Sequence, residues 1–119
     1  MILLQTKIMA TDNSGIRVAT CIKIYYNNVG SVNNIVLVSV KNLKFHAKLK
    51  KGDLFKAIII RTKKKNQRQN GNCITFMDNA MVILNKKNEL YGTRIFGPIA
   101  NELRKKRFTK ILSLASVII

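Results

Sequence analysis

Four consecutive apolar residues, Ala57-Ile58-Ile59-Ile60, followed by a basic stretch that contains no acid, constrain this chain more than any other feature. Three of the four are β-branched and the run is short, so it reads as a buried strand. Arg61, Lys63, Lys64, Lys65 and Arg68 come next. Asn70-Gly71 is a two-residue turn signal, because both residue types tolerate positive φ. The chain returns through Cys73, Ile74, Thr75 and Phe76, a second strand-like run. Together these residues predict a basic hairpin arm projecting from a hydrophobic root. A tip of such positive density calls for a polyanion opposite it.

Composition bears on that polyanion. The 119 residues carry 22 Lys and Arg against 5 Asp and Glu, a formal net charge of +17. Hydrophobic content is 47%, which belongs to a globular chain and not to a disordered basic tail. A lone domain so charged repels itself, and a nucleic acid removes the repulsion. The cations are scattered along the chain instead of lying on one amphipathic helix, which argues against a membrane surface. No apolar run approaches the roughly 20 residues of a spanning helix. The N-terminus, MILLQTKIMATDNSG, lacks the pattern of a signal or transit peptide, so the protein is expected to work where it is made. Heavy use of Ile, Lys and Asn points to an AT-rich genome. Cys21 and Cys73 form no metal set by themselves and read as small buried hydrophobes, with a disulfide left open.

Taken in order, the chain alternates short strands with turns. Leu3 to Met9 reads as a first strand and Asp12-Asn13-Ser14-Gly15 as a turn. From Ile16 to Tyr26, the set Ile16, Val18, Thr20, Ile22 and Ile24 is expected to face the core. Asn27 to Asn34 is an uncharged loop, and Ile35 to Leu43 is a strand with Val36, Val38 and Val40 on one face. Lys44 to Leu49 is basic and irregular, Lys50-Lys51-Gly52-Asp53 turns into a strand from Leu54 to Arg61, and Asn79 to Leu84 is another. Closely spaced strands of this kind suggest a small closed or nearly closed β-barrel, which also hides sheet edges. Then the character changes. Gly92 to Pro98 is a loop whose proline suits the first position of a helix. Ile99, Leu103 and Lys106 share a face of that helix, with Glu102 in its first turn and Lys105-Lys106-Arg107 in its last. Phe108 to Leu114 predicts a second short helix packed on the barrel. One domain is expected over 1–119, with barrel to about residue 96 and a helical part over about 97–119.

Nothing in the sequence builds an active site. The single His46 sits in a basic loop, and Asp12, Asp53 and Asp78 each sit at a turn signal, where a structural role is favoured over a magnesium cluster. No phosphate-binding glycine loop, metal-ligand spacing or cofactor motif is present, so no catalytic residue and no cofactor is expected. The aromatic residues form no stacking stripe. That favours backbone recognition of a folded RNA over a single-strand platform.

The order of segments resembles the universal large-subunit ribosomal protein L-fourteen family. Ala57-Ile58-Ile59-Ile60, Asn70-Gly71, Phe76, Asn79, Val82 and Ile83 fall at the family's spacing. The flanks agree along the chain: DNSG at Asp12 to Gly15, CIKI at Cys21 to Ile24, KKGD at Lys50 to Asp53, RTKK at Arg61 to Lys64, GTRIFGP at Gly92 to Pro98, ELR at Glu102 to Arg104 and KILSLA at Lys110 to Ala115. The resemblance implies a mainly β fold, a five-stranded β-barrel with short C-terminal α-helices, bound to large-subunit rRNA. It implies intersubunit bridges to small-subunit rRNA and a neighbour of the ribosomal protein L-nineteen family, paired through β-structure. It also implies a ribosome silencing factor docking near the GTRIFGP loop and last helix, at Thr93, Arg94 and Lys110. The chain departs from the family in two places. The loop Tyr25 to Asn34 is short and uncharged where the family carries glycines and arginines, and Phe45-His46-Ala47 replaces a Pro- and Gly-containing turn. These departures suggest a divergent organellar ribosome in the mitochondrial matrix, with a plastid-type organelle or the bacterial cytoplasm as alternatives.

The function expected is therefore structural, in a large ribosomal subunit. The rRNA contacts expected are Arg17, Lys23, Lys41, Lys44, Lys48, Lys50, Lys51, Arg61, Lys63, Lys64, Lys65 and Arg68. The rival readings are a free-standing β-barrel nucleic-acid-binding module and a metal-dependent nuclease built on Asp12, Asp53 and Asp78.

Overall fold

A computed structural model describes residues 2–45, 47–106 and 108–119; the side chains of Lys105 and Lys106 fall outside that description, as do His46 of the basic loop and Arg107 of the expected helix end. Five strands close a barrel: β1 (Lys7–Ala10), β2 (Ile16–Ile24), β3 (Ile35–Leu43), β4 (Leu54–Arg61) and β7 (Ala80–Leu84). Neighbours pair antiparallel around the barrel until the last seam, where β1 meets β7 in parallel with Met9 opposite Ala80. Between β4 and β7 lies the basic hairpin, β5 (Asn66–Gln67) and β6 (Cys73–Ile74). After the barrel come β8 (Pro98–Ile99), a 3-10 helix over Asn101–Lys106, helix α1 (Thr109–Leu114) and β9 (Val117–Ile118).

Why β4 carries an unbroken apolar run is visible in its surroundings. Ala57 and Ile59 point into the barrel with Ile8, Ile16, Val36, Val38, Val40, Met81 and Ile83. Ile58 and Ile60 point outward, beside Ala80, Val82 and Leu84 of β7, and are covered by Ile99, Ala100, Leu103, Ile111 and Leu112. Both faces are dry, so alternation disappears and every position is apolar. Each isoleucine so buried contributes about 1.5–3 kcal/mol. In β3 only one face is covered, and there Val36, Val38 and Val40 alternate with half-exposed neighbours as expected.

Four sequence expectations are corrected. The first strand begins at Lys7 and not at Leu3, because Gln5 takes φ +68° and Thr6 N–H closes a turn onto Leu3 O. In β2 the buried set is Ile16, Ala19, Cys21 and Ile24, while Ile22 is exposed. Register shifts between Ile16 and Ala19 and again between Cys21 and Lys23 are the cause, since each bulge transfers the following residues to the other face. Pro98 does not start a helix. It pairs in β8 with Val117 of β9, and Ile119 N–H donates to Ile99 O at 2.9 Å, which keeps Pro98-Ile99 extended. The first of the two expected helices is accordingly a 3-10 helix beginning at Asn101, leaving α1 as the α-helix. Finally, Cys21 is buried but Cys73 is exposed on β6, and both are free thiols.

Burial pushes the Cys21 thiol above its ordinary range, partly offset by its contact with Lys23 O. A raised pKa lowers the thiolate fraction at any given pH. Iodoacetamide at about pH 8 should therefore alkylate Cys73 in the native protein and reach Cys21 only on unfolding. Mass spectrometry of the labelled peptides checks this; equal native rates at the two positions would contradict the placement of Cys21.

Candidate nucleic-acid interface

The arm is held at both ends. At its root, Lys63 N–H donates to Asn79 Oδ1 at 2.9 Å, Thr75 Oγ1 donates to Lys63 O at 2.7 Å, and Phe76 N–H donates to Thr62 O at 3.2 Å. At its tip, Gly71 N–H closes a turn onto Arg68 O and Arg68 N–H returns to Asn72 O. Positive φ falls on Gly71 and not on Asn70, the arrangement of a type I turn ended by a left-handed glycine. Arg68 then reaches out of the hairpin. Its Nε sits 2.8 Å from Glu102 Oε1, and its Nη2 donates to the carbonyl of Ile119. The expected basic hairpin is thus present, with its tip tied back to the C-terminal segment. Lys63, Lys64 and Lys65 lie exposed on it.

Arg61 stands apart from its neighbours. It is 7% exposed. Its guanidinium donates to Asp78 Oδ2 at 3.1 Å and to the carbonyls of Phe96 and Pro98 at 3.3 and 3.1 Å. A side chain on Gly97, which takes φ +83°, would run into that guanidinium. Arg61 was expected among the rRNA contacts. The structure spends its charge inside the protein, fastening the root of the arm to the end of the 92–98 loop.

The other end of that loop is gripped by the Asp12–Gly15 turn. Asn13 Oδ1 accepts from the backbone N–H of Thr93 at 2.7 Å and of Arg94 at 3.2 Å, and Asn13 Nδ2 donates to Thr93 Oγ1 at 2.8 Å. Asp12, 1% exposed, accepts from Ile83 N–H at 3.0 Å and from Ser14 Oγ at 2.6 Å. Phe96 N–H donates to Thr11 O at 2.7 Å. Any side chain on Gly92 would come within 2.5 Å of Asn13 Oδ1, so the loop approaches too closely for another residue. Thr93 and Arg94 are left exposed on a fixed loop. Lys110 is also exposed, on a different element, α1.

The remaining cations fall on the barrel surface and its loops. Lys23 and Lys56 lie 5.2 and 5.4 Å from the Tyr25 ring, and Lys44 and Arg94 lie 5.4 and 5.9 Å from the Phe96 ring. Lys44 N–H bonds Gly15 O at 2.8 Å, which sets the basic 44–49 segment against the same turn that holds the loop. Arg17, Lys41, Lys48, Lys50 and Lys51 are exposed. Sequence reading missed Lys56. Its signal was present, since it is the outward position of β4 between Phe55 and Ala57, opposite Leu37. Sequence reading also gave Asn13 no more than a turn, because its partners lie 80 residues away. The three aspartates serve separate structural bonds: Asp53 Oδ2 accepts from Lys50 N–H at 3.1 Å, Asp78 takes Arg61, and Asp12 ties the turn to β7. Among the described residues no group of three or more His, Cys, Asp or Glu side chains could hold a metal ion.

A closed five-stranded barrel, an acid-free basic hairpin and a fixed TRIFG loop are thus joined in one chain. The family description ribosomal protein L14p/L23e matches residues 1–119. The chain belongs to the L14p/L23e family. It is a non-enzymatic protein of the large ribosomal subunit, and it binds rRNA there. In an L14p/L23e protein the surplus of cations has its counter-charge in RNA phosphates, and the barrel serves to hold loops and hairpin in fixed relation.

Two outcomes follow from this geometry. Arg61→Lys keeps the charge but cannot span Asp78 and both carbonyls, so it should lower stability by about 1–3 kcal/mol, read from urea denaturation. A denaturation midpoint equal to that of the parent protein would show that the guanidinium contacts carry no weight. Asn13→Ala should speed amide hydrogen exchange at Thr93 and Arg94 by about fivefold, matching the loss of about 1 kcal/mol per hydrogen bond, while exchange in β3 stays unchanged.

Proposed function

We propose that this L14p/L23e protein anchors and orients large-subunit rRNA through its arm and barrel loops, and presents the 92–98 loop and α1 at the face that meets the small subunit. The observation that carries the reading is the exposed Lys63-Lys64-Lys65 run on a hairpin tied down at root and tip. A cation on a pre-ordered element loses little freedom on meeting a phosphate. The proposed rRNA contacts are Arg17, Lys23, Lys41, Lys44, Lys48, Lys50, Lys51, Lys63, Lys64 and Lys65. Arg61 and Arg68 are assigned instead to holding the arm, on the strength of their internal partners.

At the subunit face we assign Thr93, Arg94 and Lys110 to bridge contacts with small-subunit rRNA and to the docking of a ribosome silencing factor. Their exposure, and the fixed conformation of the loop, support that assignment. A neighbour of the L-nineteen family is proposed to pair through β-structure. The two-stranded β8–β9 sheet lies outside the closed barrel and is where edges remain. The compartment proposed is the mitochondrial matrix, supported by the AT-rich composition and the shortened, uncharged 25–34 loop. A plastid-type organelle or the bacterial cytoplasm would leave the rRNA role unaltered.

Replacing Lys63, Lys64 and Lys65 together by Ala should weaken binding to large-subunit rRNA and flatten its salt dependence. Each lost phosphate contact reduces the logarithmic slope by about 0.7–0.9. Filter binding across a salt series measures both quantities, and an unchanged slope would reduce the arm to a solvated face. Sedimentation of tagged protein from native lysate tests the assembly itself. Migration only in light fractions would favour a free-standing nucleic-acid-binding module.

A further inference from the structure

A polar cleft of about 350 Å³ separates the arm from the loop between β2 and β3. Ser31 and Asn33 line one side, Lys65, Asn66 and Gln67 the other, and Glu102 closes the end with its carboxylate already engaged by Arg68. The loop side is rigid. Gly30 and Ile2 exchange both backbone hydrogen bonds at 2.8 and 2.7 Å, and a Cβ on Gly30 would stand 2.9 Å from that of Ile2. Asn34 Oδ1 accepts from Ser31 N–H and Oγ, and Asn33 N–H and Asn34 O bond to Ile59 of β4. This loop carries no charge of its own, and the arm brings Lys65 to the opposite side.

One atom in the cleft wall is out of balance. Asn33 is 7% exposed, held at φ +77°, and its Oδ1 is buried without a hydrogen-bond partner. A buried acceptor without a donor is costly, and the missing element is a donor. Phosphate oxygens supply none at neutral pH, so charge alone does not complete the site. An exocyclic amine of a nucleobase does. Carboxamides are the side chains that pair with base edges, and unstacked bases in RNA are read in this way. The cleft volume falls in the range of small-molecule sites.

We propose that this cleft receives one nucleotide turned out of an rRNA helix, its base bearing an exocyclic amine (adenine, cytosine or guanine) against Asn33, Asn66 and Gln67, and its phosphate at Lys65. The proposal rests on the rRNA-binding reading. It also gives the shortened loop a positive role, in which amides facing a base stand where arginines would face phosphates.

The test uses large subunits purified from cells carrying the wild-type protein, Asn33→Gly, Gln67→Ala or Lys65→Ala. Glycine keeps the positive φ of position 33 while removing the carboxamide. Dimethyl sulfate and kethoxal report the Watson–Crick edges of the rRNA. One nucleotide protected in the wild type should become about tenfold more reactive in Asn33→Gly and in Gln67→Ala, with the protein still sedimenting in the large subunit. Protection unchanged in both variants would overturn the proposal and leave the cleft to water or to a protein side chain. In a second arm the isolated full-length protein is titrated with AMP, CMP, GMP, UMP and inorganic phosphate. Saturable binding of a free mononucleotide, abolished by Asn33→Gly while rRNA reactivity is unaltered, would likewise overturn the rRNA source. Inorganic phosphate binding as well as any mononucleotide would overturn the role of the base. Loss of wild-type protein from large subunits would instead defeat the underlying rRNA reading, and is scored separately by sedimentation.

Discussion

Burial of β4 on both of its faces is the constraint on which the rest of this molecule depends. Ala57 and Ile59 complete the barrel interior, and Ile58 and Ile60 form the floor on which the C-terminal segment lies. The same strand ends in Arg61, from which the basic arm leaves the barrel. One short apolar run thereby fixes three things at once: closure of the barrel, the seat of the C-terminal segment and the origin of the arm. Removing either layer would expose isoleucines that have no other place to go.

The few acids are distributed with matching economy. Asp78 and Glu102 meet Arg61 and Arg68, Asp12 secures the turn that grips the 92–98 loop, and Asp53 closes a turn before β4. Carboxylates here fasten internal structure instead of neutralising the surface. The exposed lysines are left with counter-charge to find in RNA. Two arginines that look like part of the basic arm belong, by their partners, to the fastening and not to the surface.

The parts legible in the sequence were those set by local pattern. β3, β4, β7 and α1 follow from alternation, from an unbroken apolar run and from helical spacing at Ile111 and Leu112. The parts that escaped were set by partners distant in the chain. Bulges in β2 moved Ile22 out and Ala19 in, and no local period announces a bulge. Pro98 entered a strand because Val117 lay beside it. Arg61 looked like the first cation of a basic arm until Asp78 and the carbonyls of Phe96 and Pro98 were brought around it. Asn13 looked like a turn former, although the work of its amide is to hold Thr93 and Arg94. In the candidate site, then, the exposed lysines could be named from sequence, but the residues that position them could not.

The parallel seam between β1 and β7 bears on how the molecule comes into being. Met9 and Ala80 are neighbours in space yet far apart along the chain. Contacts of such separation carry the entropy of a long loop and form late. During synthesis from the N-terminus, the four earlier strands can curl into an open sheet, but the cylinder cannot shut until residues 80–84 have emerged. For that interval both faces of the isoleucine run lack their final cover, and the nascent chain is at its most adhesive. A protein destined for a crowded ribonucleoprotein particle thus passes through a sticky adolescence, which ends only when the strand that follows its basic arm slides into the remaining gap.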